Sequence, residues 1–251
     1  MVEYLLQLLK NPIKNREPIC RSLSELFHTA IKSVNASFSV RRLAKLSPEM
    51  EPLPEDTRQL SSYRTRLGTI LEYAVGTEID SILEREYGRE LSLTFAYPHE
   101  YPDFFIRNVE KEPLLKIEMK AVDCESDEQA ARFGVPTVNI NPFTDFVLFM
   151  GWEWVQKEGT NDKGWMHPNI FAFVLVPSIE IAKERDYRVT FIGGKIEGDT
   201  VLVPSTKTPG QMVKDQGNYG KFWRIIHSSR RNAQDLDEHM KRFLTFQKEV
   251  D

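Results

Sequence analysis

Apolar positions divide the chain into a helical first fifth, one long helix and a strand-rich remainder. Up to about Leu46, the residues Leu23, Leu26, Phe27, Ile31 and Val34 recur at three- and four-residue steps, the period of one helix face. Residues 47–56 carry Pro48, Pro52 and Pro54 among acids and hold no period, so they read as a connector. Over residues 59–87, Leu60, Tyr63, Leu67, Leu71, Ala74, Ile79, Ile82 and Leu83 return to helical spacing, and Gly88 stands where a C-cap belongs.

The period then changes to two. Residues 91–97 and 114–122 alternate, and the short aromatic stretch 103–107 lies between them. A helix is expected over about 126–133, closed by Gly134 and Pro136. The apolar runs 146–154 and 170–176 read as strands buried on both faces. Residues 188–192 and 200–203 suit a hairpin across Gly193, Gly194 and Gly198, and about 232–247 a closing helix. This order predicts an α/β domain over 59–251 with a central mixed sheet flanked by helices, preceded by an N-terminal helical region and linker over 1–58.

The chain has 251 residues, with 41% hydrophobic and 28% charged, which suits an ordinary globular protein long enough to bury a sizeable core. No apolar run reaches the roughly 18 residues of a membrane span. The N-terminus has an early acid and no small-residue cleavage site, so neither a membrane nor secretion is expected. Two cysteines, Cys20 and Cys124, are too few for a disulfide framework and point to a reducing, cytoplasmic setting.

The net charge of −4 argues at first against a nucleic-acid partner, since such proteins are commonly basic. Its distribution weakens that argument. Residues 1–50 hold eight basic against four acidic side chains, residues 51–130 nine against eighteen, and residues 131–251 sixteen against fifteen. A solvated acidic face explains the middle third in the ordinary case. The other explanation is that some of its carboxylates converge on a cation.

Asp103 is followed after fourteen residues by Glu118-Met119-Lys120. On a strand, Glu118 and Lys120 leave the same face, while Ile117, Met119 and Ala121 leave an apolar one suited to packing on a helix. Two charges on an interior strand are costly unless they are paired or bind a metal. A turn near residues 110–113 would bring Asp103 alongside. Two carboxylates at one point suit a hard divalent cation, Mg²⁺ above all, and a neighbouring lysine could orient a water against a phosphodiester. The plainer reading leaves Glu118 and Lys120 as an exposed strand pair remote from Asp103.

Pro102-Asp103 followed by Glu118-x-Lys120, set in the order helix, three strands, helix, strand, resembles the PD-(D/E)XK nuclease superfamily. The resemblance covers about residues 59–154 and is closest to type II restriction endonucleases. It implies a restriction-endonuclease-like core, metal binding by Asp103 and Glu118, and a catalytic role for Lys120 beside the attacking water. Many members carry a further acid on the preceding helix, a position matched here by Glu72, with Glu78 as the alternative. Gly68 and Gly76 lie one turn to either side of Glu72. Two helix-interior glycines, each costing about 1 kcal/mol against alanine, need a reason such as close approach to the sheet. The expected catalytic set is therefore Asp103, Glu118, Lys120 and Glu72, with the three carboxylates on the metal.

The implied partner is double-stranded DNA, and cutting both strands of a twofold site suits a homodimer. Arg41, Arg42, Lys207, Lys221, Arg224, Arg230 and Arg231 are the expected DNA-contacting cations, against the alternative of a solvated surface. His99 and His167 read as turn histidines rather than ligands. Two rival readings keep the scaffold: a repair, recombination or mobile-element nuclease, and a catalytically silent DNA-binding protein.

Overall fold

A computed structural model describes residues 2–41, 43–96, 101–123, 132–156, 164–215, 218–220 and 247–250. The N-terminal periodicity resolves into two helices, α1 (Val2–Leu9) and α2 (Pro12–Arg41). The connector holds a short strand, β1 (Lys45–Leu46), and leads to α3 (Thr57–Tyr87). Asp56 caps α3 by accepting the N–H groups of Arg58 and Gln59 at 2.8 and 3.0 Å. Gly88 ends it with φ +61°, a conformation glycine adopts without a Cβ penalty.

Three strands follow, β2 (Ser92–Phe95), β3 (Phe104–Arg107) and β4 (Pro113–Asp123), and then the long β5 (Asp145–Gln156) and β6 (Trp165–Pro177). Helix α4 (Ser178–Phe191) precedes a small separate sheet of β7 (Lys195–Glu197), β8 (Thr200–Pro204) and β9 (Met212–Lys214), and β10 is Gln247–Glu249. The main sheet has the order β1-β6-β5-β4-β3-β2, with β10 also pairing with β6. It is mixed: β4 and β5 run parallel, and the other neighbours run antiparallel. The architecture is thus α/β, a mixed sheet flanked by helices.

The strands at the centre are covered on both sides. Ile117 and Met119 of β4 with Phe146, Leu148 and Met150 of β5 share one core with Leu23, Phe27 and Ile31 of α2 and Leu71, Val75 and Ile79 of α3. The N-terminal helices therefore pack into the same core as the sheet. On the opposite face Val147, Phe149, Val174 and Val176 meet Ile181 and Ala182 of α4, with Phe133 and Ile140.

Several expectations need correction. Residues 188–191 close α4 and form no hairpin strand; the observed hairpin joins β7 to β8 across Gly198, φ +61°. The β-branched and aromatic run from Val189 to Ile192 favours a strand locally. Ile181, Ala182, Arg185 and Val189 are nevertheless buried at helical spacing, and packing against the sheet overrides local preference. Lys45 and Leu46 belong to a strand paired with Met166 and Trp165, not to the N-terminal helices. His167 lies on β6 opposite Val155 and not in a loop. Gln247 begins a strand, so a closing helix cannot include it; residues 232–246 lie outside the described residues. The same holds for 126–131 of the helix expected before β5, and Phe133 itself is not helical.

Candidate active site

The site arises from unequal strand lengths. Among the described residues β3 pairs with β4 only as far as Phe104 opposite Ile117, while β4 continues to Asp123 beside β5. Beyond Ile117 one edge of β4 is left without a strand partner, although its N–H groups still require acceptors. Two carboxylates supply them. Asp103 Oδ2 accepts from Met119 N at 2.7 Å, and Glu72 Oε1 accepts from Ala121 N at 2.9 Å.

Helix α3 reaches this edge through a stripe of every fourth residue, the spacing that keeps side chains on one helix face. Arg64 Nε lies 2.9 Å from Asp123 Oδ2 at the far end of β4. A Cβ on Gly68 would stand 3.5 Å from Ala121 O, an ordinary contact. Glu72 follows, and the ring of Phe104 occupies the space where a Cβ on Gly76 would sit. Close approach therefore explains Gly76 but is not sufficient to require glycine at position 68.

Glu118 and Lys120 project from the same face of β4, as their spacing predicts. Lys120 Nζ lies 2.6 Å from Glu118 Oε1 and 3.7 Å from Asp103 Oδ2. The reading of Glu118 and Lys120 as a pair remote from Asp103 does not describe this structure. Glu118 is 9% exposed, and its Oε2 is buried with no hydrogen-bond partner. Asp103 is the most accessible of the three, its side chain 35% exposed.

The electrostatics follow from crowding. Burial pushes Glu72 up to about 7, against the attraction of Lys120 and with the help of Asp103 and Glu118. Burial likewise raises Glu118, although Lys120 opposes it. For Lys120, burial acts to lower the pKa, but Glu118, Asp103 and Glu72 together outweigh it and raise the value. The ammonium is therefore firmly charged at neutral pH.

Of the alternatives on α3, Glu72 reaches β4, whereas Glu78 lines a separate groove with Val34 and Phe38 of α2. Among the expected DNA-contacting residues, Lys207 sits exposed in the β8–β9 turn, its N–H donating to Ser205 Oγ at 3.2 Å. Arg41 is the last residue of α2. Arg42, Lys221, Arg224, Arg230, Arg231 and His99 lie outside the described residues. The stripe member Arg64 was not expected from the sequence, although its position eight residues before Glu72 continues the same four-residue series.

The donor chemistry is that of hard oxygen ligands, and the buried Glu118 Oε2 is a lone pair without a partner, which suits a small divalent cation. No three His, Cys, Asp or Glu side chains among the described residues are gathered into a ready-made cage. Two of the three carboxylates are turned onto backbone amides, and Lys120 neutralises the third. No family model matches this chain, and no curated protein matches it. No helix among the described residues is long and apolar enough to cross a membrane.

Proposed function

We propose that this chain is a Mg²⁺-dependent endonuclease that hydrolyses phosphodiester bonds of double-stranded DNA. The reading places it with the PD-(D/E)XK nucleases as a site-specific enzyme of the type II restriction class, acting in the cytoplasm as a homodimer. The observation that carries the reading is the meeting of Asp103, Glu118, Lys120 and Glu72 at the open edge of β4, from one strand, a loop end and a helix.

Asp103 and Glu118 would hold the cation, with Glu72 as the additional acid. Bound Mg²⁺ supplies Lewis acidity toward a phosphoryl oxygen and lowers the pKa of a water. The protein's own contribution is electrostatic. Lys120, with its pKa raised, is a poor base at neutral pH and a good hydrogen-bond donor, so it orients the water and offsets charge on the phosphate. Glu118 holds the ammonium at 2.6 Å, which restricts where it can point.

The test incubates the purified chain with plasmid and random-sequence duplex DNA in Mg²⁺, beside EDTA and Lys120→Ala controls. Discrete fragments that vanish in both controls support the reading. Cleavage persisting in EDTA or in the variant defeats the mechanism. Cutting confined to branched or nicked DNA would shift the reading to a repair or recombination nuclease, and no cutting at all to a silent DNA-binding scaffold.

A further inference from the structure

Asp145 is a fully buried carboxylate that the chemistry above does not use. It opens β5 opposite Lys116 of β4, on the sheet face that also carries Glu118 and Lys120. A buried charge persists only when its surroundings satisfy it. Asp145 Oδ2 accepts from Asn141 N at 3.0 Å and from the Tyr101 hydroxyl at 3.1 Å, and it lies 3.7 Å from Lys116 Nζ. Thr144 Oγ1 donates to the other oxygen at 3.2 Å. The Tyr101 hydroxyl also lies 3.1 Å from Ser178 Oγ, at the start of α4.

This cluster ties down a short arm that ends at the candidate site. Tyr101 is two residues before Asp103, and Pro102 between them is buried and has its φ fixed by its ring. On its other side Asp103 joins β3 directly, and its carbonyl accepts from Ala96 N at 2.9 Å. Few soft torsions therefore separate the anchored phenol from the carboxylate that reaches Met119. From this geometry we infer that Tyr101, held by Asp145, is a positioning residue for Asp103. It sets the depth at which that carboxylate stands against the open edge of β4. The catalytic consequence rests on the nuclease reading; the positioning itself does not.

Tyr101→Phe tests the inference with little risk to folding, because the ring still packs edge-on to Phe133 and Asp145 keeps its other three partners. Three measurements are made on the full chain: amide hydrogen exchange at Met119, the Mg²⁺ concentration that gives half the maximal thermal shift, and KM and kcat on DNA. The expected result is faster exchange at Met119 and a Mg²⁺ midpoint about tenfold higher, the low end of the effect of outer-shell partners. KM for DNA should stay unchanged while kcat falls at limiting Mg²⁺. Asp145→Asn should shift Met119 exchange in the same direction as Tyr101→Phe. Unchanged Met119 exchange in Tyr101→Phe overturns the inference. If the wild-type chain neither binds Mg²⁺ nor cuts DNA, the nuclease reading fails, and Met119 exchange still decides whether Tyr101 positions Asp103.

Discussion

Glu72 Oε1 accepts the backbone N–H of Ala121 at 2.9 Å, so a helix side chain takes the place that a strand carbonyl would hold. With the Arg64–Asp123 contact further along, that bond joins α3 to β4, and it puts an acid beside Lys120. It also gives Glu72 two demands, since the hydrogen bond favours the carboxylate while burial favours the acid.

The balance has a pH signature. The folded chain retains the Glu72 proton up to about pH 7, whereas the ordinary value is 4.5. Between those values the folded state binds more protons, so this contribution to stability is full below the lower one and is lost as pH rises through the upper one. In EDTA, urea denaturation should show wild type losing stability relative to Glu72→Gln between pH 5 and pH 8. After discounting for solvent screening the difference is on the order of 1–2 kcal/mol. A parallel pH dependence in the two proteins would refute this account.

Lys120→Ala leaves Glu118 without the cation 2.6 Å from it. Without Mg²⁺ at pH 8 the variant should be less stable by about 2 kcal/mol, and more nearly equal at pH 5, where Glu72 is protonated and repels Glu118 less. Cleavage, if the chain is a nuclease, should fall by about a hundredfold or more. Wild-type stability at pH 8 would mean that the ammonium does not compensate the buried acid.

The two glycines beside Glu72 should respond oppositely. Gly76→Ala puts a Cβ where the Phe104 ring now lies, so the ring or the helix must move, at a cost of about 1–3 kcal/mol. Because Phe104 follows Asp103, exchange at Met119 should rise as well. Gly68→Ala meets only ordinary contacts, and its melting temperature should hold or increase, since alanine favours a helix by about 1 kcal/mol. Equal melting temperatures in the two variants would contradict the packing described.

Arg64→Met removes the guanidinium from Asp123, whose side chain is 5% exposed. A loss of about 2 kcal/mol is expected at neutral pH. The loss should shrink on an Asp123→Asn background, where the carboxylate that the guanidinium meets is already gone. Chemical denaturation of the single and double variants separates this from a packing defect, which would cost the same on both backgrounds.

Much of the architecture is legible in one dimension because burial imposes a period. The long helix, its Gly88 stop, the alternating β4 and the apolar β5 and β6 all follow from which side chains must leave water. Spacing alone also put Glu118 and Lys120 on one face, and the cost of glycine inside a helix marked the contact of α3 with the sheet. Local pattern failed where a neighbour outweighed it, as at residues 188–191, strand-like in composition yet helical against the sheet.

Other relations have no sequence signal at all. That β3 stops opposite Ile117 while β4 runs on to Asp123 depends on register between strands, and register is settled by pairing across the sheet. The amides exposed by that mismatch drew in Asp103 and Glu72, from sites fifteen or more residues away along the chain. Asp145 stands in the sequence only as an acid before an apolar run, and its hold on Tyr101 exists only because β4, β5 and α4 meet at one end of the sheet. The kinds of group available are therefore a property of the sequence. Their protonation, their partners and the free lone pair on Glu118 come from the low-polarity space that the assembled strands and helix enclose.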